Sequence, residues 1–132
     1  SSESGRTFFH GHSYTANPLA AAAAVANLEL MAAEGTVDRA AEVGSAIGAQ
    51  LSPLADYDGV VEVRRIGTMT GIEVASVGER TGFAVCQEAR RHGVWVRPLG
   101  DVVVLMPPLA IGDGDLAELT GVVSDAIRTV VQ

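Results

Sequence analysis

The first helical pattern in the chain is apolar on every side. Between residue 18 and about residue 34, a run of alanines has strong helix propensity. Asn17, Pro18 and Gly35 stand where an N-cap, a first helical residue and a C′ residue belong. The bulkier side chains form no single stripe, which is typical of a helix buried on several sides. They are Val25, Leu28, Leu30 and Met31.

Three further segments carry one apolar face each, at the spacing of an amphipathic helix. The pattern predicts helices over 37–54 with Thr36 as N-cap, over 81–92 with Gly93 as the stop, and from about residue 115 onward. We expect these three faces to form the core. The inward positions are Val37, Ala40, Val43, Ile47, Leu51 and Leu54, then Phe83, Cys86 and Ala89, then Leu116, Leu119, Val123, Ala126, Ile127 and Val130.

Alternating positions between these helices predict two β-hairpins. The first joins a strand over 60–66, with Val61 and Val63 inward, to a strand around Ile72 and Val74. The second joins 94–97 to 102–106 through Leu99-Gly100-Asp101. Pro98 and Pro107-Pro108 confine these strands to edges or ends. The expected fold class is therefore α+β, with a small, mostly antiparallel sheet covered by helices.

Composition narrows the choice of partners. A chain of 132 residues forms one modest domain, and its net charge of −7 disfavours nucleic acid or an anionic membrane surface. The single cysteine, Cys86, excludes an internal disulfide and suits a reducing compartment, so we expect a cytoplasmic protein. We find no signal-peptide pattern and no apolar run of about 18 residues. The first residue is Ser1 rather than Met, which is typical of a processed or truncated product.

The basic residues exclude one kind of chemistry. All nine are arginine, and the chain contains no lysine. It therefore cannot form a Schiff base through a lysine side chain of its own.

The loop before the first helix contains glycine, histidine and hydroxyl side chains. Such a loop at a helix N-terminus can bind an anion, although Asn17 and Pro18 also fit simple capping with the hydroxyls bound locally. His10 and His12 lack a third ligand at a recognised spacing, so we expect no metal site. Cys86, on an apolar helix face, is interpreted as a core residue.

Arg97 is the strongest candidate for binding a ligand. The strand pattern turns Val94 and Val96 to one side and Trp95 and Arg97 to the other. An arginine at a strand end offers a planar fork to a carboxylate. The alternative is a surface arginine stacked on Trp95.

Four blocks of the sequence resemble one family. Residues 10–20 (HGHSYTANPLA), 65–73 (RIGTMTGIE), 93–100 (GVWVRPLG) and 104–108 (VLMPP) are similar, in order and spacing, to class III pyridoxal-phosphate aminotransferases. Residues 10–18 (HGHSYTANP) and 96–108 (VRPLGDVVVLMPP) most resemble the branch that transfers an amino group from S-adenosylmethionine to 8-amino-7-oxononanoate in biotin biosynthesis. Another class III omega-amino acid transaminase and a stand-alone, non-catalytic α+β interaction module remain alternatives.

The resemblance implies which part of a complete enzyme each segment of this chain would form. Residues 1–34 would be a loop and a helix linking to a preceding large domain, and residues 35–132 the C-terminal small domain of a fold type I enzyme. Gly11, His12 and Ser13 match the loop that binds the phosphate of pyridoxal phosphate in the neighbouring subunit of a homodimer. Arg97 matches the arginine that binds the substrate carboxylate. The Schiff-base lysine would lie in the large domain, so we expect no catalytic residue in this chain and no activity from it alone.

Overall fold

The computed structural model describes residue 5, residue 11, residue 13 and residues 15–132. The chain divides into two compact units, Ser1–Gly35 and Thr36–Gln132. The proposed histidines His10 and His12 lie outside the described residues. Among the helices that are described, none has both the length and the hydropathy needed to cross a membrane.

The first unit contains helix α1, Pro18–Ala33. The side-chain oxygen of Asn17 accepts hydrogen bonds from the backbone N–H groups of Leu19 (3.0 Å) and Ala20 (3.2 Å), so the predicted N-cap is confirmed. Gly35 has φ +61° and ends the helix in the left-handed conformation, as a C′ glycine does. No residue of α1 is buried.

The second unit is a four-stranded antiparallel sheet with three helices. The strand order is β1-β2-β4-β3, so β3, with Pro98, lies at an edge as predicted. The bounds are α2 Thr36–Leu51, a 3-10 turn Ser52–Leu54, β1 Val60–Ile66, β2 Met69–Val74, α3 Thr81–Arg91, β3 Arg97–Leu99, β4 Val102–Leu105 and α4 Asp113–Val130.

One face of the sheet joins the helices in a single core. Alternate residues of β2 and β4 point inward and are buried, while Glu73 and Val104 lie on the other face and are half-buried. On that other face, Arg64 bridges the carboxylates of Glu62 and Glu73 at 2.7 Å each. The most deeply buried side chains are Ile47, Leu51, Leu54, Ile72, Val85, Val103, Leu105, Leu116, Val123 and Ile127.

Three predicted inward positions are wrong. Val37 lies in the first turn of α2 and is exposed. Val61 is also exposed, because a bulge between Val60 and Glu62 inserts an extra residue opposite β2 and reverses the alternation. In α3 the fully buried residue is Val85, whereas Phe83 is half-buried and its ring lies under the Arg80 guanidinium at 4.2 Å.

Several boundaries also differ from the predicted ones. The second helix gives way to a 3-10 turn at Ser52, where Pro53 cannot donate the next helical hydrogen bond. The strand predicted over 94–97 pairs only from Arg97 to Leu99, so the turn is Gly100-Asp101 and Leu99 lies opposite Val102. The last helix begins at Asp113, two residues before the predicted start.

Candidate functional site

A groove of about 740 Å³ lies beside the β3–β4 hairpin. Its walls come from the extended segment before β3, from β3 itself, from β4, from the chain after β4 and from one residue of α4. Arg97 is the one charged side chain among these lining residues, which all belong to the described part of the chain. The lining residues are Val94, Trp95, Val96, Arg97, Pro98, Leu99, Val104, Met106, Pro107, Pro108, Ile111 and Leu119.

The hairpin fixes where Arg97 stands. Arg97 lies opposite Val104 in the antiparallel pair of β3 and β4, so both side chains share one face of the sheet. The turn is held against the start of α3, because the Gly82 N–H donates to the Asp101 carboxylate at 3.2 Å. A Cβ at Gly82 would stand 2.4 Å from the carbonyl oxygen of Gly100, so only glycine permits this approach.

The predicted orientation of the segment before β3 is confirmed. Val94 and Val96 are buried, while Trp95 and Arg97 are exposed and line the groove. Within the described residues, the Arg97 guanidinium has no hydrogen-bond or ion-pair partner. The arginine that stacks on Trp95 is Arg90, whose guanidinium carbon lies 3.6 Å from the ring centroid. The groove can therefore offer an unpaired guanidinium to a carboxylate.

The loop residues proposed from the resemblance belong to the other unit. Gly11 and Ser13 are exposed, and Ser13 lies in a turn. His12, the third predicted residue, lies outside the described part of the chain. The N–H groups of Leu19 and Ala20 are already bound by Asn17, so an anion at this loop would depend on the loop's own hydroxyl and backbone groups.

Cys86 is part of the core, as predicted. Its side chain is buried, and this burial raises the pKa of the thiol to about 11, although the positive charge of Arg90 acts in the opposite direction. The thiol therefore stays protonated and unreactive at neutral pH. In the described part of the chain, no three His, Cys, Asp or Glu side chains stand close enough together to hold a metal ion.

Two residues that contact the walls or the turn of the groove were not predicted from the sequence. Asp101 was predicted only as part of a turn, and no site role was predicted for Arg90. Their partners, Gly82 and Trp95, can be identified only in the folded chain. A helix cap supplied by a distant turn and a guanidinium stacked on an indole have no fixed spacing in the sequence.

Comparison with known proteins decides the family. The sequence profile of class III aminotransferases matches residues 2–127. The chain belongs to the class III aminotransferase family. An adenosylmethionine-8-amino-7-oxononanoate aminotransferase from Nitratidesulfovibrio vulgaris is 46% identical, and the match covers 96% of this chain and 25% of that protein.

Solved structures agree with this assignment. The crystal structure of adenosylmethionine-8-amino-7-oxononanoate aminotransferase from Methanocaldococcus jannaschii superposes with a TM-score of 0.82 at 29% identity, over 96% of this chain and 31% of that one. A PLP-bound amine transaminase from an uncultivated Pseudomonas species gives a TM-score of 0.83 at 32% identity, over 94% and 30%. The predicted fold class is confirmed as an α+β small domain of a pyridoxal-phosphate transaminase.

The length of this chain and its lack of lysine limit how much of a transaminase active site it can form. It spans about a quarter to a third of the length of the relatives it matches. Family membership implies pyridoxal phosphate as cofactor, and the exposed hydroxyl of Ser13 is a donor suited to a phosphate. Because the chain has no lysine, the described residues fit part of such a site and not the lysine that would hold the cofactor covalently.

Proposed function

We propose that this chain is the C-terminal part of a homodimeric aminotransferase that transfers an amino group from S-adenosylmethionine to 8-amino-7-oxononanoate. The 46% identity to the adenosylmethionine-8-amino-7-oxononanoate aminotransferase of Nitratidesulfovibrio vulgaris supports this pair of small-molecule substrates. Helix α1, within residues 1–34, would link a large domain to the small domain of residues 35–132. The amine transaminase similarity supports a second candidate, another class III transaminase with different substrates.

The observation that carries the proposal is the isolated charge of Arg97. In an otherwise apolar groove, its guanidinium can make two parallel hydrogen bonds to a carboxylate while hydrocarbon lies along the walls. A keto acid with a hydrocarbon chain matches this arrangement, because it has a carboxylate at one end and apolar carbon along its length. Arg97 therefore binds the acid end of the substrate and sets the direction in which the chain points.

The loop before α1 serves the cofactor. Gly11 and Ser13, with His12 between them, would hold the phosphate of pyridoxal phosphate in the neighbouring subunit, through backbone N–H groups and the serine hydroxyl. The bound cofactor supplies the electron sink that amino-group transfer requires. The lysine would come from the large domain, so the 132-residue chain alone is expected to be inactive.

Arg97→Ala in the complete dimeric enzyme tests this proposal. Removing one partner of a hydrogen-bonded charge pair that the bound substrate and the complete enzyme shield from water costs about 2–5 kcal/mol, so kcat/KM for the keto acid should fall at least about tenfold. Arg97→Lys should recover only part of it, because an ammonium group has no planar fork. Single-turnover kinetics of the two half-reactions provide the measurement.

Two comparisons make the test specific. If the carboxylate of the amino donor does not use Arg97, the half-reaction with the donor should change far less in Arg97→Ala. Ser13→Ala should weaken cofactor retention and affect both half-reactions alike. The 132-residue chain alone serves as the inactive control. Equal losses in both half-reactions of Arg97→Ala, or no loss with the keto acid, would contradict the assignment of Arg97.

A further inference from the structure

The wall of the groove beside Arg97 contains an unusually exposed aromatic side chain. Trp95 is 75% exposed and lines the groove. An indole in that position has freedom to turn unless something fixes it. Arg90 contacts it directly, with the guanidinium carbon 3.6 Å from the ring centroid. Within the part of the chain that the structure describes, Arg90 is therefore the side chain that stacks on this ring.

The chain reversal after α3 creates this contact. Gly93 has φ +85°, and the N–H groups of Gly93 and Val94 donate to the carbonyl oxygens of Arg90 and Ala89, both at 3.1 Å. These bonds fold the segment back over the last turn of the helix, as in a helix-ending glycine motif. Trp95 is the next residue, so its ring lies against the Arg90 side chain at the end of α3.

Arg90 differs from its neighbour in its partners. Arg91 forms an ion pair with Glu88, and His92 also contacts that carboxylate. No ion pair involves Arg90 within the described part of the chain, so its guanidinium is committed to the indole face. A planar guanidinium on an aromatic face is attracted electrostatically and also restricts the ring's rotation.

We propose that Arg90 is a positioning residue of the groove, which holds the Trp95 indole as a fixed wall for the hydrocarbon chain of the carboxylate substrate bound by Arg97. This inference rests on the proposed function, because it assigns the carboxylate to Arg97. Arg90 contacts the indole and not the substrate. Its effect should therefore grow with the length of hydrocarbon that reaches the wall.

The first measurement reads the indole directly. Trp95 is the single tryptophan of the 132-residue chain, so quenching of its fluorescence by acrylamide reports on this position alone. Arg90→Ala should raise the quenching constant by about half, because one ring face loses its cover. Arg91→Ala, the neighbouring arginine paired with Glu88, should leave it unchanged. Arg90→Lys should restore part of the protection.

The second measurement separates hydrocarbon contact from charge. In the complete holoenzyme, 4-oxobutanoate and 8-oxooctanoate serve as short and long amino acceptors. Arg90→Ala should raise KM for the long acceptor about two- to fivefold, the range of an exposed cation–π contact, with kcat and the short acceptor unchanged. Arg91→Ala should change neither value.

The outcomes distinguish this inference from the proposed function. If Arg97→Ala raises KM for both acceptors while Arg90→Ala changes neither the quenching constant nor KM, Arg90 is not a positioning residue. The assignment of the carboxylate to Arg97 then stands. If Arg90→Ala raises KM equally for both acceptors, Arg90 acts as a second charge and the inference is overturned. If Arg97→Ala leaves both acceptors unchanged, the proposed function fails, whatever the fluorescence shows.

Discussion

Helices α1 and α4 have similar lengths and opposite surroundings. α1, with 16 residues, has only Asn27 and Glu29 as polar positions, yet it buries no residue. α4, with 18 residues and many more polar positions, buries Leu116, Thr120, Val123, Ser124, Ala126 and Ile127 along one side. α4 enters the core of its unit through an apolar stripe, whereas the apolar positions of α1 form no single stripe.

The two helices are therefore stabilised by different means. α4 gains from burial of its stripe in the core. α1 has alanine's helix propensity and the Asn17 cap, while Leu19, Val25, Leu28 and Leu30 remain exposed. Under the proposed function, this apolar surface would be covered by the large domain of the complete enzyme.

The strongest test of this comparison truncates one large side chain in each helix. Ile127 in α4 is fully buried, so Ile127→Ala should lower the free energy of unfolding by about 2–5 kcal/mol. Leu28 in α1 is 64% exposed, so Leu28→Ala in the 132-residue chain should change it by no more than about 0.5 kcal/mol. Denaturant unfolding measures both values. A loss of similar size for Leu28→Ala would show that α1 is packed in solution.

Two helical glycines extend the comparison to close packing. A Cβ at Gly44 in α2 would stand 2.2 Å from the carbonyl oxygen of Gly67, whereas a Cβ at Gly121 in α4 would meet nothing within 4 Å. Overpacking should make Gly44→Ala destabilising by about 1–3 kcal/mol. Gly121→Ala should be stabilising by about 0.5–1 kcal/mol through helix propensity. Thermal and denaturant unfolding would reveal the opposite signs, and equal signs would contradict the close approach at Gly44.

The smallest expected effect concerns the two helix starts. Asn17→Ala removes the acceptor of two N–H groups of α1 and should lower helix stability by about 1 kcal/mol. Amide exchange at Leu19 and Ala20 should become faster. The matched variant is Gly112→Ala at the start of α4, where no side chain caps the helix, and its effect should be smaller than that of Asn17→Ala because no side-chain acceptor is lost. Unchanged exchange in Asn17→Ala would show that the cap contributes little.

Much of the fold could be predicted because it follows from local patterns. The amphipathic faces containing Val43, Cys86 and Val123 are buried as predicted, and the two hairpins pair antiparallel. Val61 could not be placed correctly, because a bulge depends on how β1 meets β2 and not on the alternation within β1. In α3 the helical spacing did not distinguish Phe83 from Val85: Val85 is fully buried, whereas the Phe83 ring lies under the Arg80 guanidinium.

The candidate site was predictable in kind but not in detail. The alternation of residues 94–97 correctly turned Trp95 and Arg97 outward, and the family resemblance singled out Arg97, whose role as carboxylate ligand stays a prediction. The roles of Gly11 and Ser13 also remain predictions, and His12 lies outside the described residues. The groove itself could not be foreseen, because its shape depends on how the β3–β4 hairpin, the chain after β4 and α4 pack together in the folded protein.

By itself the sequence determined the helices, the hairpins, the absence of lysine and the family, since propensity, alternation, composition and motif spacing are properties of the chain before it folds. Only the tertiary structure decided that Arg90 rather than Arg97 stacks on Trp95, and that Asp101 caps α3 at Gly82. These contacts depend on how a strand end, a turn and a helix end meet in space. Because side-chain contacts act over a few ångströms, they are set by packing rather than by distance along the chain.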